Sequence, residues 1–159
     1  MRHLLLPILT LLLAACAHLP APGPISATQL REAAPQFART ETADPAELAS
    51  LQLALATKGP VQLTVYFADW CGDSIREVPR LLALVESVPA DQLQLTLFNL
   101  DDEKTDPAGQ AKAAGVLRIP TIIASQNGTE LGRIVEKPLT TVGGDLIELL
   151  KSPHQVSVD

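Results

Sequence analysis

The spacing of apolar and polar positions predicts that helices alternate with strands over most of the chain. Helical spacing of apolar residues, together with cap and stop signals, predicts helices at residues 26–37, 44–58, 75–87, 107–114 and 145–151, of which the first is expected to be shortened by Pro35. Short runs rich in apolar and β-branched residues predict strands at residues 61–68, 93–100, 121–125 and 130–135. Asn127-Gly128 is predicted to join the last two strands in a hairpin. This order predicts an α/β fold with a mixed central sheet flanked by helices.

The N-terminus has the pattern of an export signal. Arg2 precedes an apolar run that is too short to span a bilayer, which is typical of a secretory signal. The run ends in Leu13-Ala14-Ala15-Cys16, which resembles the lipobox, the processing site of bacterial lipoproteins. This resemblance implies cleavage after residues 1–15 and acylation of Cys16. The alternative is an ordinary secretory signal followed by a chance cysteine.

The remaining chain is predicted to have four parts. Residues 16–25 combine the lipid site with a proline-dense stretch, which is predicted to be an extended tether. Residues 26–59 form a helical extension, and residues 60–151 form the α/β domain. Residues 152–159 are expected to be a frayed tail. The total length of 159 residues suits one domain.

Charge and composition argue against several classes of function. The formal net charge is −6 and there is no run of Lys or Arg, so no nucleic-acid surface is expected. The three histidines, His3, His18 and His154, fall in the signal, the tether and the tail. They are therefore not placed to serve a hydrolase or a zinc site. The acidic turn at residues 101–103 is interpreted as solvated charge, and we expect neither a metal ion nor a cofactor.

The candidate chemistry lies where the first predicted strand gives way to a helix. The segment Trp70-Cys71-Gly72-Asp73-Ser74 occupies this junction, and it resembles the Trp-Cys-x-x-Cys loop of thioredoxins. Pro79 resembles the helix-kinking proline of that family, and Ile119-Pro120-Thr121 resembles its cis-proline loop. The resemblance covers roughly residues 61–150. It implies a thioredoxin-like fold, here preceded by the helical extension.

Cys71 is the candidate nucleophile. A cysteine at the start of a helix meets free N–H groups and the positive end of the helix dipole, which favour the reactive thiolate. Asp73 opposes this effect by like-charge repulsion. The alternative is a buried, unreactive cysteine. Because Cys16 is expected to carry lipid, Cys71 is left without a partner for a disulfide within the chain.

The family resemblance also implies a substrate-binding surface around this thiol. It comprises Trp70, Gly72, Asp73, Ile119 and Pro120. Trp70 is expected to be a partly exposed wall of this surface. A cis peptide bond before Pro120 would turn the backbone of Ile119 toward Cys71, so that a substrate strand could pair with it. The alternative is an ordinary trans proline at the start of a strand.

Three positions depart from the thioredoxin pattern. Ser74 stands where the family has its resolving cysteine; a hydroxyl can donate a hydrogen bond to the Cys71 thiolate but cannot form a disulfide. The buried aspartate of the family and the lysine that faces it correspond to Val65 and Leu97. These departures exclude two-cysteine disulfide reduction within this domain.

Two functions from different classes remain open. The first is a monothiol oxidoreductase, in which Cys71 exchanges with disulfides of envelope proteins or with low-molecular-weight thiols. The second is a redox-inactive binding or scaffolding module for envelope proteins. Both place the domain on the periplasmic face of the cell envelope, held to a membrane by lipid. Ala17, in place of an aspartate after the lipid site, favours the outer membrane. The oligomeric state is left open.

Overall fold

A computed structural model describes Leu19 and residues 21–151. The predicted signal, the lipid site at Cys16 and the predicted tail at residues 152–159 lie outside the described residues. Within the described part of the chain, no helix has the length and apolar character needed to cross a bilayer.

The described residues form a mixed sheet with helices packed against it. The strands are β1 (Gly23–Ile25), β2 (Val61–Phe67), β3 (Leu93–Asn99), β4 (Thr121–Gln126) and β5 (Thr129–Val135). The helices are α1 (Ala27–Ala33), α2 (Pro45–Lys58), α3 (Gly72–Glu86), α4 (Gln110–Ala113) and α5 (Val142–Lys151), with a 3-10 turn at Pro35–Phe37. The strand order is β1-β3-β2-β4-β5; β2 and β3 are parallel and the other neighbours antiparallel. The predicted α/β class and mixed sheet are confirmed.

Local sequence signals explain most element boundaries. Asp44 caps α2, because its carboxylate accepts hydrogen bonds from the backbone N–H groups of Ala46 and Glu47 at 3.0 and 2.9 Å. The same helix ends at Gly59, whose φ of 87° suits a residue without a side chain. Asn127-Gly128 joins β4 to β5 with two positive φ angles, 51° and 79°. Positive φ at both positions is what a tight hairpin turn of this kind requires.

The predicted tether is wrong at its C-terminal end. Residues 16–25 are predicted to include an extended tether, but Gly23–Ile25 form β1 and pair with β3 at the edge of the sheet. Leu19 is also buried, at 7% exposure. Pro24 is tolerated in this strand because an edge strand pairs on one side only. The chain therefore joins the sheet before the helical extension begins.

Several helices begin or end at other residues than predicted. Pro35 divides the first predicted helix into α1 and the 3-10 turn, since its ring cannot continue an α-helix. Helix α3 begins at Gly72, earlier than predicted, which makes Cys71 its N-cap. Helix α4 is shorter than predicted: the Asp106 carboxylate accepts hydrogen bonds from the backbone N–H of Ala108 in the loop and from those of Gln110 and Ala111 in the first turn of the helix, which begins only at Gln110. Helix α5 begins earlier, at Val142.

One hydrophobic core joins the helical extension to the sheet. Leu30, Phe37 and Leu55 come from the extension and are almost completely buried in the same cluster as Val65 and Phe67 of β2. Burying a side chain of this size contributes about 1.5–3 kcal/mol. The extension is therefore a packed layer that supports β2, the strand that leads to the candidate site.

Candidate functional site

The site lies at the end of the sheet where the parallel strands β2 and β3 have their C-terminal residues. After Phe67, the chain turns and enters α3 through Cys71, the N-cap residue. The backbone of Cys71 is extended, with φ −85° and ψ 117°, and its carbonyl accepts the Ile75 N–H at 2.9 Å. This geometry places the side chain at the N-terminus of a helix, where the first backbone N–H groups have no partner within the helix.

The Cys71 thiol is partly buried and contacts the loop before β4. It donates a hydrogen bond to the Ile119 carbonyl, with 3.4 Å between Sγ and the oxygen. The Ile119–Pro120 peptide bond is cis. The Ile119 side chain is buried in a small cluster that also holds Tyr66 and Phe98, and Cys71 packs against this cluster. The sulfur therefore lies between the start of α3 and the Ile119–Pro120 backbone.

The two chain neighbours of Cys71 are exposed to solvent. Trp70 is 46% exposed, so its ring forms a wall that solvent reaches. At Gly72, a side-chain Cβ would meet no heavy atom within 4 Å, so the backbone beside Cys71 is uncovered. Beyond Trp70 lies a groove of about 400 Å³, the Trp70 groove, lined by Leu19, Ala21, Pro22, Asp69, Trp70, Asn99, Leu100, Asp101 and Asp102. The Trp70 groove is therefore an open surface beside the turn that carries Cys71.

Ser74 lies beneath the site rather than on its open face. It has no exposed surface, and its Oγ accepts a hydrogen bond from the Ala68 N–H at 3.4 Å. A hydroxyl at this position can donate a hydrogen bond to a Cys71 thiolate; in the structure the Cys71 thiol itself donates to the Ile119 carbonyl. Ser74 lies in the first turn of α3, and its hydroxyl meets the backbone just after β2. Its observed contact stabilises the turn that carries Cys71.

The Asp73 carboxylate is paired with two cations. It lies 2.7 Å from the Arg76 guanidinium and 4.0 Å from the Lys137 ammonium. Arg76 also binds Glu77 at 2.6 Å, and these bonds, first to Glu77 and then to Asp73, raise the pKa of Arg76. The cations offset part of the repulsion that Asp73 is expected to exert on a thiolate at Cys71.

Two charged pairs near the site are missing from the sequence-based predictions. Glu77 is 3% exposed and pairs with Arg80, a spacing of three residues that could have indicated a helical ion pair. Arg118 and Glu136 pair at 3.0 Å on the two loops that meet at Pro120, whose carbonyl accepts the Glu136 N–H at 2.8 Å. No local pattern connects Arg118 with Glu136, because they are distant in the sequence.

Val65 and Leu97 are direct neighbours on the parallel strands β2 and β3. Their exposures are 0% and 2%. The family resemblance places a buried aspartate and its facing lysine at these positions. An apolar pair has no group that can take or give a proton, so this part of the two-cysteine mechanism is missing here.

The acidic turn after β3 is organised by hydrogen bonds. Asp101 accepts bonds from the backbone N–H groups of Glu103 and Thr105 and from the Thr105 hydroxyl. These bonds, those from Thr105 foremost, lower the pKa of Asp101. Across Leu19 and residues 21–151, no three His, Cys, Asp or Glu side chains are grouped as ligands for a metal ion.

Strand β2 leads into a helix whose N-cap residue is a cysteine, within a mixed sheet of order β1-β3-β2-β4-β5. This arrangement defines a thioredoxin-like protein. The thioredoxin family model matches residues 28–142, well over half of the chain. The chain therefore belongs to the thioredoxin family. The match begins inside α1, so it includes most of the helical extension. A search of curated proteins found none that matches.

Several solved structures are similar to this chain. Trxlp from Edwardsiella tarda EIB202 is 26% identical, with 64% of this chain and 91% of that chain covered and a TM-score of 0.44. A malarial protein is also 26% identical, with coverages of 58% and 96% and a TM-score of 0.44. Thioredoxin from Fasciola hepatica is 23% identical, with coverages of 52% and 74% and a TM-score of 0.39. These TM-scores are low, so the family assignment rests on the family model.

Proposed function

We propose that this protein is a lipid-anchored thioredoxin-like protein of the periplasm, which uses the single thiol of Cys71 for thiol–disulfide exchange. Membership of the thioredoxin family supports a thiol–disulfide role. The lipobox-like motif ending at Cys16 supports the anchor and the compartment, and Ala17 favours the outer membrane. The observation that carries the redox part is the position of the Cys71 sulfur, at the N-terminus of α3 and 3.4 Å from the Ile119 carbonyl.

The exchange needs one thiol of the protein and one thiol from outside. After losing its proton to solvent, the Cys71 sulfur attacks one sulfur of a disulfide, either in an envelope protein or in the oxidised form of a low-molecular-weight thiol. The old S–S bond breaks and its other sulfur leaves as a thiolate with the bonding electrons. This leaves a mixed disulfide between Cys71 and the partner. A low-molecular-weight thiolate then attacks the partner's sulfur, forms a new disulfide with it and releases the Cys71 thiolate.

The backbone beside the sulfur supports binding of an extended segment. A substrate strand that pairs with the backbone of Ile119 would bring its own sulfur close to Cys71, because the Ile119 carbonyl already contacts Sγ. The uncovered backbone at Gly72 leaves room for that strand, and the exposed ring of Trp70 offers it an apolar contact. The charged groups next to this surface are the Asp73 carboxylate and the two cations paired with it, Arg76 and Lys137.

A second function is a binding module without turnover. The buried hydroxyl of Ser74 and the apolar pair Val65 and Leu97 favour it, because these positions lack the groups that complete a two-cysteine cycle. In this function the same surface holds extended segments of envelope proteins, and the Cys71 thiol is dispensable.

Trapping of mixed disulfides separates the two functions. Cells that make the full chain are quenched with acid, alkylated and analysed on a non-reducing gel, beside cells that make Cys71→Ala. We expect reducible adducts from the full chain and none from the variant, because Ser74 cannot resolve them. Cells that show no adducts under oxidative stress, and a deletion strain rescued equally by both forms, would refute the redox function and leave the binding module.

A separate measurement tests the anchor. The mature protein from membranes is expected to begin at Cys16 and to carry the mass of acyl chains, and Cys16→Ala is expected to be released in soluble form. A soluble mature protein without acyl chains, unaffected by Cys16→Ala, would refute lipidation.

A further inference from the structure

The chain that precedes β1 enters the fold at the same end of the sheet as the candidate site. Strand β1 is antiparallel to β3, and β3 is parallel to β2. Gly23, the first residue of β1, therefore pairs with Asn99 at the end of β3, and Asn99 lies beside Phe67 at the end of β2. This is the end of the sheet where β2 leads into Trp70 and Cys71. The polypeptide that comes from Cys16 thus reaches the fold beside the thiol.

Leu19 brings the same segment against the Trp70 groove. Its side chain is 7% exposed and belongs to the hydrophobic core, and it lines the groove together with Trp70. Only Ala17 and His18 separate Leu19 from Cys16. Three Cα-to-Cα steps span at most about 11 Å. An acyl group on Cys16 is therefore confined to the neighbourhood of the Trp70 groove.

We propose that the face that carries Trp70 and Cys71 is held against the lipid surface of the bilayer. This inference rests on the lipidation of Cys16 in the proposed function. A compact unit of this size is about 35 Å across, whereas the spacer reaches at most about 11 Å. Turning the opposite face to the bilayer would require the spacer to cross the width of the domain, which it is too short to do.

The charges of the Trp70 groove determine how closely this face approaches the lipid. Asp69, Asp101 and Asp102 line the groove, and moving carboxylates into hydrocarbon is costly. The groove therefore stays at the level of the headgroups, where an exposed tryptophan ring is favourable. This position selects the partners of Cys71: envelope proteins whose sulfur atoms lie close to the membrane surface.

Energy transfer from Trp70 tests this orientation. Trp70 is the only tryptophan of the chain, so its fluorescence reports the site alone. The full-length acylated protein is placed in phosphatidylcholine vesicles that contain dansyl-labelled headgroups. A matched variant carries an insert of about 20 Gly and Ser residues between His18 and Leu19, which adds about 25 Å of mean reach. We expect transfer to fall at least about twofold with the insert, because the site then moves away from the surface.

Cys71 provides a second readout in the same vesicles. A maleimide on a large polymer is expected to react at least about threefold more slowly with the acylated protein than with the insert variant, since the bilayer screens the site. N-ethylmaleimide, which is small, is expected to react equally with both. Equal energy transfer and equal polymer reactivity in two fully acylated proteins would overturn the orientation alone. A protein that carries no acyl chain would instead refute the anchor, and the orientation with it.

Discussion

The ring of Phe37 packs edge-on against the ring of Phe67, with centroids 5.5 Å apart and planes inclined at 67°. Phe67 is the last residue of β2 and leads into the turn that carries Cys71, whereas Phe37 belongs to the helical extension. Both side chains are completely buried. The extension therefore supports, through this aromatic pair, the strand that positions the thiol.

Phe37→Ala is expected to lower the free energy of unfolding by about 3–5 kcal/mol, because it leaves a cavity against β2. Urea unfolding followed by circular dichroism measures this change. Leu53→Ala serves as the control, since Leu53 is 71% exposed on α2 and its removal is expected to change stability by about 0.5 kcal/mol or less. A loss below about 1 kcal/mol for Phe37→Ala would contradict the supporting role of the extension.

Ser74→Cys is expected to restore a second thiol at the position where the thioredoxin family has one. The variant should form a disulfide between residues 71 and 74 when oxidised, losing two hydrogens in mass and both free thiols. In the trapping experiment its adducts should largely disappear, because the new thiol attacks the mixed disulfide. Adducts as abundant as those of the unaltered chain would show that position 74 cannot reach the sulfur of Cys71.

Ser74→Ala is the matched control for that experiment. It removes the acceptor of the Ala68 N–H and is expected to cost about 1–3 kcal/mol, since that donor is then buried without a partner. Its adducts should persist, because the alteration adds no thiol. Loss of adducts in this variant would mean that the packing at Ser74, and not the absence of a second thiol, sets their lifetime.

Arg76→Gln is expected to slow alkylation of Cys71 by iodoacetamide about two- to threefold at neutral pH and low salt, because the Asp73 carboxylate loses its nearest cation. Asp73→Asn is expected to accelerate the reaction. Arg80→Gln is the control, since Arg80 pairs with Glu77 on the same helix at 3.5 Å. The effects should shrink as salt is added. Equal rates for Arg76→Gln and Arg80→Gln would exclude a role of the Asp73 pair in thiol reactivity.

Tyr66 is expected to ionise at higher pH in the folded protein than in the unfolded chain. Burial raises its pKa, Asp106 adds to the effect and Arg133 opposes it. The resulting stability is fully present below the unfolded pKa, at about pH 10, and is lost as the pH rises through the folded pKa. Tyr66 is the only tyrosine, so its ultraviolet difference absorbance follows this group alone. A native midpoint at or below that of the urea-unfolded protein would contradict the expected burial effect.

The sequence predicts the elements that depend on local signals and misses those that depend on distant partners. The Asp44 cap and the Asn127-Gly128 turn act within a few residues, so their elements are found at or near the predicted positions. Strand β1 has three residues and contains Pro24, and only its pairing with β3 makes it a strand. No periodicity in the sequence can indicate such a strand.

The candidate site follows the same division. The resemblance to thioredoxins places Cys71 at the start of a helix, as the structure has it. The two cations around Asp73 are missing from the predictions for different reasons. The three-residue spacing from Asp73 to Arg76 could have indicated that pair, whereas Lys137 reaches Asp73 from the segment after β5. The contact of Ser74 with the Ala68 N–H is missing from the sequence-based predictions, since a hydroxyl can turn to several acceptors and donors and the sequence does not fix which one it meets.

Because Ser74 has a hydroxyl in place of a second thiol, it affects how long a mixed disulfide at Cys71 lasts. In the proposed exchange, a protein with a second thiol would resolve its mixed disulfide by an intramolecular reaction. The rate of that reaction would not depend on the concentration of other thiols. In that same proposed exchange, release depends on thiols that arrive by diffusion, so the lifetime of each mixed disulfide would vary inversely with their concentration. The fraction of molecules that hold a partner would then measure how reducing the compartment is.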